Sequence, residues 1–283
     1  MIEAALTPSQ LLLRLQRCRQ RKDIDLARFL YFQVCENGFE ADQELCNYIV
    51  SMLVDCRSMP DALHFFDRLT VSNELSWTSL IQGWTECGYP QNSLNVFNRM
   101  QQASVYPSRH TFVAVLKACS QLEWLEQGHS IHTAVVHRGY EENIFIGNTV
   151  VDLYAKLGFL EEAHQVLQQL TNRNAITWNA LITGYVEHGR DIDALRFLLE
   201  MESCGFSPDH VTFACCIKAC NNLGDAANGK AVHTKVMLKG FERAPSVMTA
   251  IMDMYVKGGL LMDAQANYGS NCGFVDGIDH RVY

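Results

Sequence analysis

TWNALITGYVEHGRDIDALRFLLEMESCGFSPD, residues 177–209, carries two apolar stripes of helical spacing on either side of a glycine. Trp178, Leu181, Ile182 and Tyr185 form the first stripe, and Ala194, Leu195, Leu198, Leu199 and Met201 the second. Gly189 at the midpoint allows a turn, and Pro208 closes the stretch because proline cannot continue a helix. The stretch reads as a helical hairpin.

The hairpin belongs to a series. A shift of 101 residues carries Trp77 onto Trp178, Leu80 onto Leu181, Ile81 onto Ile182, Gly83 onto Gly184, Gly88 onto Gly189 and Pro107 onto Pro208. The same shift carries Lys117-Ala118-Cys119 onto Lys218-Ala219-Cys220, His132 onto His233 and Tyr154 onto Tyr255, and it brings Cys18 to Cys119 and Gly38 to Gly139. A fixed period without insertions predicts an all-α fold, an α-solenoid in which helix-turn-helix repeats build a right-handed superhelix and each repeat buries its apolar face on its neighbours. Each period divides into units of 35, 35 and 31 residues. The repeats are expected at 8–42, 43–73, 74–108, 109–143, 144–174, 175–209 and 210–244, with a partial eighth at 245–265. A lead-in, 1–7, precedes them and an irregular tail, 266–283, follows.

Composition agrees with a folded chain. Of the 283 residues 48% are hydrophobic and only 19% charged, which excludes disorder. No apolar run approaches membrane-spanning length, so no membrane partner is expected. The 11 cysteines make no paired framework. Cys215, Cys216 and Cys220 with His210 match no zinc module, and their positions on an apolar helical face point to core packing, so no metal or other cofactor is expected. His132, recurring as His233, reads as an inter-repeat packing residue. The segment LLLRLQRCRQRK is Arg-rich like a transit peptide, yet it aligns with the first helix of a repeat.

The pattern resembles the pentatricopeptide repeat family, and within it the plant-type proteins that alternate standard, long and short repeats. SWTSLIQGWTECG and TWNALITGYVEHG resemble the standard type, and GNTVVDLYAKLGFLEEA and MTAIMDMYVKGGLLMDA the short type. TFVAVLKACSQLEWLEQGHSIHTAVVHRGY and TFACCIKACNNLGDAANGKAVHTKVMLKGF resemble the long type. The tetratricopeptide repeat, a peptide-binding hairpin, is the structural rival. Its first helix needs a small residue where this chain has Ile81 and Ile182, and it does not cycle through three lengths.

The resemblance implies single-stranded RNA as partner, about one base per repeat. Two residues of each repeat, the fifth and the last, would choose the base, and an apolar second residue would stack on it. Asn179 with Asp209 then resembles a uracil reader, Asn47 with Asn73 and Asn148 with Asn174 pyrimidine readers, and Thr78 with Ser108 an ambiguous reader that leans toward a purine. Leu75, Phe145, Ile176 and Val211 would supply the stacking surfaces, whereas Glu44 and His110 depart from that type. In the long repeats Leu12, Val113 and Ala214 stand where a base-reading group would be, so these units read as spacers. Asn179, taken as groove-facing, is expected to pack against nothing essential.

A bland reading stands beside this one. An Asn near a helix start is most often a solvated or capping residue, and only the recurrence of Asn47, Asn148 and Asn179 at equivalent sites favours base reading. A formal charge of −8 is unsuited to nonspecific phosphate binding. Family members with these alternating repeats direct cytidine-to-uridine editing in the mitochondrion or chloroplast. That chemistry needs a His-x-Glu and a Cys-x-x-Cys pair, and neither occurs here. The chain is therefore expected to be no enzyme, with a deaminase supplied in trans by organellar RNA-editing factors. Gly269, Gly273 and Gly277 break the last repeat, which reads as truncation or a fragment. The alternative function is a protein-interaction solenoid or a nonfunctional remnant.

Overall fold

The computed structural model describes residues 8–39, 42–69 and 72–258. The lead-in 1–7, the second helix expected in the partial eighth repeat, and the glycine-rich tail lie outside the described residues. Fifteen helices and no strand occur among the described residues. In order they are α1 Pro8–Arg21, α2 Ile24–Glu36, α3 Gln43–Asp55, α4 Met59–Asp67, α5 Glu74–Glu86, α6 Pro90–Gln102, α7 Arg109–Gln121 and α8 Leu125–His137. There follow α9 Ile144–Lys156, α10 Leu160–Gln169, α11 Ala175–Glu187, α12 Asp191–Ser203, α13 His210–Leu223, α14 Ala226–Lys239 and α15 Pro245–Lys257. The architecture is all-α and of the solenoid class. Two compact units, residues 1–149 and 150–283, divide within α9.

In the first unit α1, α3, α5 and α7 pack successively on one another, and α2, α4, α6 and α8 each pack on the helix before them. In the second unit α11, α13 and α15 form the same kind of row, with α12 and α14 behind it. Within these rows, hairpins that follow one another in sequence are neighbours in space. The interior of the standard repeats is aromatic and aliphatic: Trp178, Leu181, Ile182, Tyr185, Phe197 and Met201 are buried, as are their counterparts Trp77, Leu80, Ile81, Trp84 and Met100. Ring edges meet there, with Tyr185 and Phe197 at 4.8 Å and Phe66 and Trp77 at 4.5 Å between centroids. Cys119 on α7 in the first unit, and Cys216 and Cys220 on α13 in the second, are buried as well. Burial pushes the Cys119 thiol up to about 12 and the Cys220 thiol up to about 11, so both behave as small apolar groups.

The hairpin turn keeps its backbone where the sequence does not keep glycine. Gly88 and Gly189 have φ of +80° and +70°, and Gly224 has +66°. One period before Gly224, Glu123 holds φ +54°, and one period before that Lys22 does the same. A left-handed residue is therefore required at this turn irrespective of side chain.

Helix packing explains a second glycine. A Cβ on Gly184 in α11 would lie 2.5 Å from Ala155 Cβ and 3.1 Å from the Ala155 backbone. At Gly83, the equivalent site, it would meet the flexible Met59 Sδ at 2.8 Å and Val54 Cγ1 at 2.5 Å. Helix propensity alone would make either glycine-to-alanine change stabilising by about 1 kcal/mol. For Gly184→Ala the rigid neighbour reverses the sign, and thermal unfolding should show a loss of about 1–3 kcal/mol, larger than for Gly83→Ala. Equal or raised stability of Gly184→Ala would refute the close helix contact.

His233 in α14 is buried, with Nδ1 2.9 Å from the Tyr255 hydroxyl of α15. It does serve packing between successive hairpins, the role its recurrence suggested. Burial lowers its pKa below the ordinary 6.5. Both folded and unfolded chains are neutral at this site above pH 6.5; below it the unfolded chain takes up the proton first, so stability declines. Hydrogen exchange in α14 and α15 should accelerate, after correction for the intrinsic rate, between pH 7.5 and pH 5.5 on the order of several-fold. Protection independent of pH, or unchanged in its pH dependence by His233→Asn, would exclude this linkage.

Candidate nucleic-acid interface

Each first helix begins immediately after the residue expected to end the previous repeat, and that residue is its N-cap. Asp42, Asn73, Asn174 and Asp209 have extended backbones and accept a hydrogen bond from the third N–H of the helix that follows. Ser108 does the same for α7. Caps of this kind contribute about 0.5–2 kcal/mol each. The last-position residues named from sequence thus have a structural duty at the seam between two hairpins.

The fifth residue of the preceding repeat meets that cap. In the second unit the Asn179 Nδ2 donates to both carboxylate oxygens of Asp209, at 3.0 and 2.9 Å. Asp209 also accepts from the N–H groups of Val211 at 2.8 Å and Thr212 at 3.1 Å. The Asn179 Oδ1 accepts from the Thr212 hydroxyl at 2.5 Å. Asn179 is consequently only 9% exposed. The expectation that it packs against nothing essential is corrected: the N-terminus of α13 covers it, and both ends of its amide are bonded.

Two further seams in the first unit are built alike. Asn47 Oδ1 accepts from the Ser76 hydroxyl and, at 3.3 Å, from the Asn73 N–H. Thr78 and Thr111 hydroxyls lie 2.6 Å apart, and Thr111 is 3.2 Å from the Ser108 hydroxyl. Thr78 therefore reaches Ser108 through Thr111. It also donates to Glu74 Oε1 at 2.5 Å, which puts a carboxylate beside a residue expected to read a base. Asn148 is half-buried on α9 in the first unit, and Asn174 caps α11 in the second through a reciprocal box with Thr177.

The four expected stacking residues occupy the second position of their helices and face solvent: Leu75 is 57% exposed, Phe145 68%, Ile176 62% and Val211 38%. At 38–68% exposure these apolar side chains keep part of their surface open at the start of each helix, available to a flat ligand. Glu44 and His110 occupy the same position and are also exposed.

Sequence reading overlooked Ser76, Thr111, Thr177, Thr212 and Glu74. The hydroxyl residues had a local signal, since a Ser or Thr three places after an Asn, Ser or Asp cap makes a capping box. Glu74 had none, because its contact with Thr78 lies across one helical turn and the partner Thr111 comes from another hairpin.

Comparison with known proteins places these seams in a family. The profile described as PPR repeat family matches residues 173–222, the one described as pentatricopeptide repeat domain matches 72–121, and the one described as PPR repeat matches 148–174. The chain belongs to the pentatricopeptide repeat family. A pentatricopeptide repeat-containing protein of Arabidopsis thaliana is 32% identical over 240 residues, 85% of this chain and 33% of the relative. A chloroplastic member from the same plant is 32% identical over 256 residues, 89% of this chain and 30% of its own length. A mitochondrial member is 28% identical over 248 residues, 88% of this chain and 24% of its own length. The chain thus spans a third or less of these relatives. Among solved structures, the pentatricopeptide repeat protein PPR10 from maize has a TM-score of 0.58 at 18% identity, covering 90% of this chain and 43% of that one. The nuclear proteinaceous RNase P 2 of A. thaliana has a TM-score of 0.51 at 16% identity, covering 69% of this chain and 47% of that one.

Proposed function

We propose that the chain is a sequence-specific single-stranded RNA-binding module organised in the alternating standard, long and short repeats expected from its sequence, with seams at residues 42, 73, 108, 143, 174, 209 and 244. The observation that carries the reading is the Asn179 seam, where an oriented amide on Asp209 is flanked by the exposed side chains of Ile176 and Val211. A base inserted between two such apolar faces would gain about 1–3 kcal/mol from stacking if they were aromatic, and less from these aliphatic ones. Its Watson–Crick edge would then meet a side chain whose donor and acceptor ends are set by neighbours.

Electrostatics fit modest affinity. The formal charge of −8 disfavours a general phosphate track. Lys117 and Lys218 are exposed, one helical turn beyond Val113 and Ala214. Two of the three repeats that lack a reading group thus offer a cation on the same helix face. Chloroplastic and mitochondrial relatives support action in the mitochondrion or chloroplast. There the module would serve an RNA-editing or processing specificity factor, with the deaminase supplied in trans.

The test uses short RNAs built on a 5′ to 3′ core of pyrimidine, any, any, pyrimidine, uracil, facing the repeats from residue 43 to residue 209. Replacing the uracil should weaken binding by about 1–3 kcal/mol in gel retardation. Asn179→Thr should move preference at that nucleotide toward guanine and remain folded, because Thr78 shows that a threonine there bonds the neighbouring hydroxyl. Failure of the parent to bind RNA at low salt would reject the reading in favour of a protein-interaction solenoid.

A further inference from the structure

The third residue of a first helix is fully buried at every described seam, whatever its chemistry. Leu45, Ser76, Thr111, Ile146, Thr177, Thr212 and Val247 are all at most 3% exposed. A hydroxyl in such a place needs a partner for its proton. At three seams the shortest such contact is with the fifth residue of the preceding repeat, closer than the cap or Glu74 oxygens about 3.2 Å away: Ser76 bonds Asn47, Thr111 bonds Thr78 and Thr212 bonds Asn179.

The apolar seams are matched as strictly. Leu12 precedes Leu45, Val113 precedes Ile146 and Ala214 precedes Val247, each by the 33 residues that separate Thr78 from Thr111 and Asn179 from Thr212. In sequence Asn148 precedes Thr177 by the 29 residues that separate Asn47 from Ser76. At this register the two positions are both polar four times and both apolar three times, with no mixed case. Cap type does not account for this, since Asp42 caps the apolar Leu12 and Leu45 seam and Asp209 caps the polar Asn179 and Thr212 seam.

The hydroxyl also has a defined sense. Thr212 Oγ1 accepts from the Asp209 N–H at 3.1 Å; it lies 2.5 Å from Asn179 Oδ1 and 3.2 Å from Asp209 Oδ1, so its single proton goes to the nearer Asn179 oxygen. The carboxylate of Asp209 accepts the two Nδ2 protons, and the hydroxyl holds the carbonyl end. Removing the hydroxyl would leave the amide anchored at one end only.

We infer that the buried third-position hydroxyl of the following helix, Thr212 at the best-formed seam, is a positioning residue for base selection, and that its presence decides whether a seam can read a base. The inference rests on the RNA-binding reading above and adds a third side chain to the two that touch or flank the base. Thr212 itself is buried and touches no RNA. It acts by fixing the orientation of Asn179.

The experiment measures binding of four RNAs that differ only at the nucleotide facing Asn179, for the parent, Thr212→Val and Thr212→Ser. A second set varies the nucleotide facing Asn47 as an internal control. The parent should prefer uracil, Thr212→Val should lose most of that preference, a drop in discrimination of roughly fivefold or more, and Thr212→Ser should restore it. Discrimination at the Asn47 nucleotide should stay unchanged in all three. A purely structural role would weaken all four RNAs equally, and that result overturns the inference. A parent that discriminates together with a Thr212→Val that discriminates as well overturns it while leaving base reading intact. A parent without preference overturns both. Should Thr212→Val fail to fold, a gain of function decides: Val113→Asn with Ile146→Thr should discriminate at a nucleotide to which the parent is indifferent, and Val113→Asn alone should not. Equal behaviour of the single and double variants contradicts the inference.

Discussion

The hydrogen bond from the Thr212 hydroxyl to the Asn179 carbonyl is the interaction on which the seams between hairpins turn. A solenoid has no common core, so each hairpin is held only by what it shares with the next. Most of that shared surface is apolar and tolerant of shape changes. The seam is not, because burying a hydroxyl and an amide costs on the order of 1–3 kcal/mol each unless they satisfy one another. Specific pairing there fixes how the start of one helix sits on its predecessor, and it fixes the side chains expected to meet a base. The proposed base reading would draw on the same few atoms.

Asn47 and Asn179, for which a solvated or capping role is the bland reading, are instead buried and bonded, and the capping falls to Asn73, Asn174 and Asp209. A cap uses one lone pair of a carboxylate or amide, and Asp209 has enough capacity left to hold both protons of Asn179. Asn47 accepts from its neighbours through a single oxygen. The exposed apolar residues Leu75, Phe145 and Ile176, one turn before Thr78, Asn148 and Asn179, cap nothing and leave their faces open.

The hairpins were legible because their signal is local: stripes of three- and four-residue spacing around Gly88 and Gly189, repeated without slippage. The seams were legible only as positions. Asn179 reads in sequence as a polar residue on the groove side of a helix, and nothing within one turn of it reveals that Asp209 and Thr212, 30 and 33 residues on, close over it. Glu74 was missed for the same reason, since its second contact, Thr111, belongs to another hairpin. Turn geometry was half visible. Glycine marked it at residues 88, 158 and 189, while Lys22, Arg57 and Glu123 hold left-handed backbones that no residue preference announces.

The most direct measurement is a double-mutant cycle on stability at the Asn179 seam. Asn179→Leu and Thr212→Val together reproduce the chemistry of the Leu12, Asp42 and Leu45 seam, where an aspartate caps an apolar pair. If the two side chains satisfy each other, the single variants each leave a buried group short of a partner, and the double variant loses less than their sum by about 1 kcal/mol or more. Losses that add to within about 0.5 kcal/mol would show that Asn179 and Thr212 act independently, and would contradict the account of the seam.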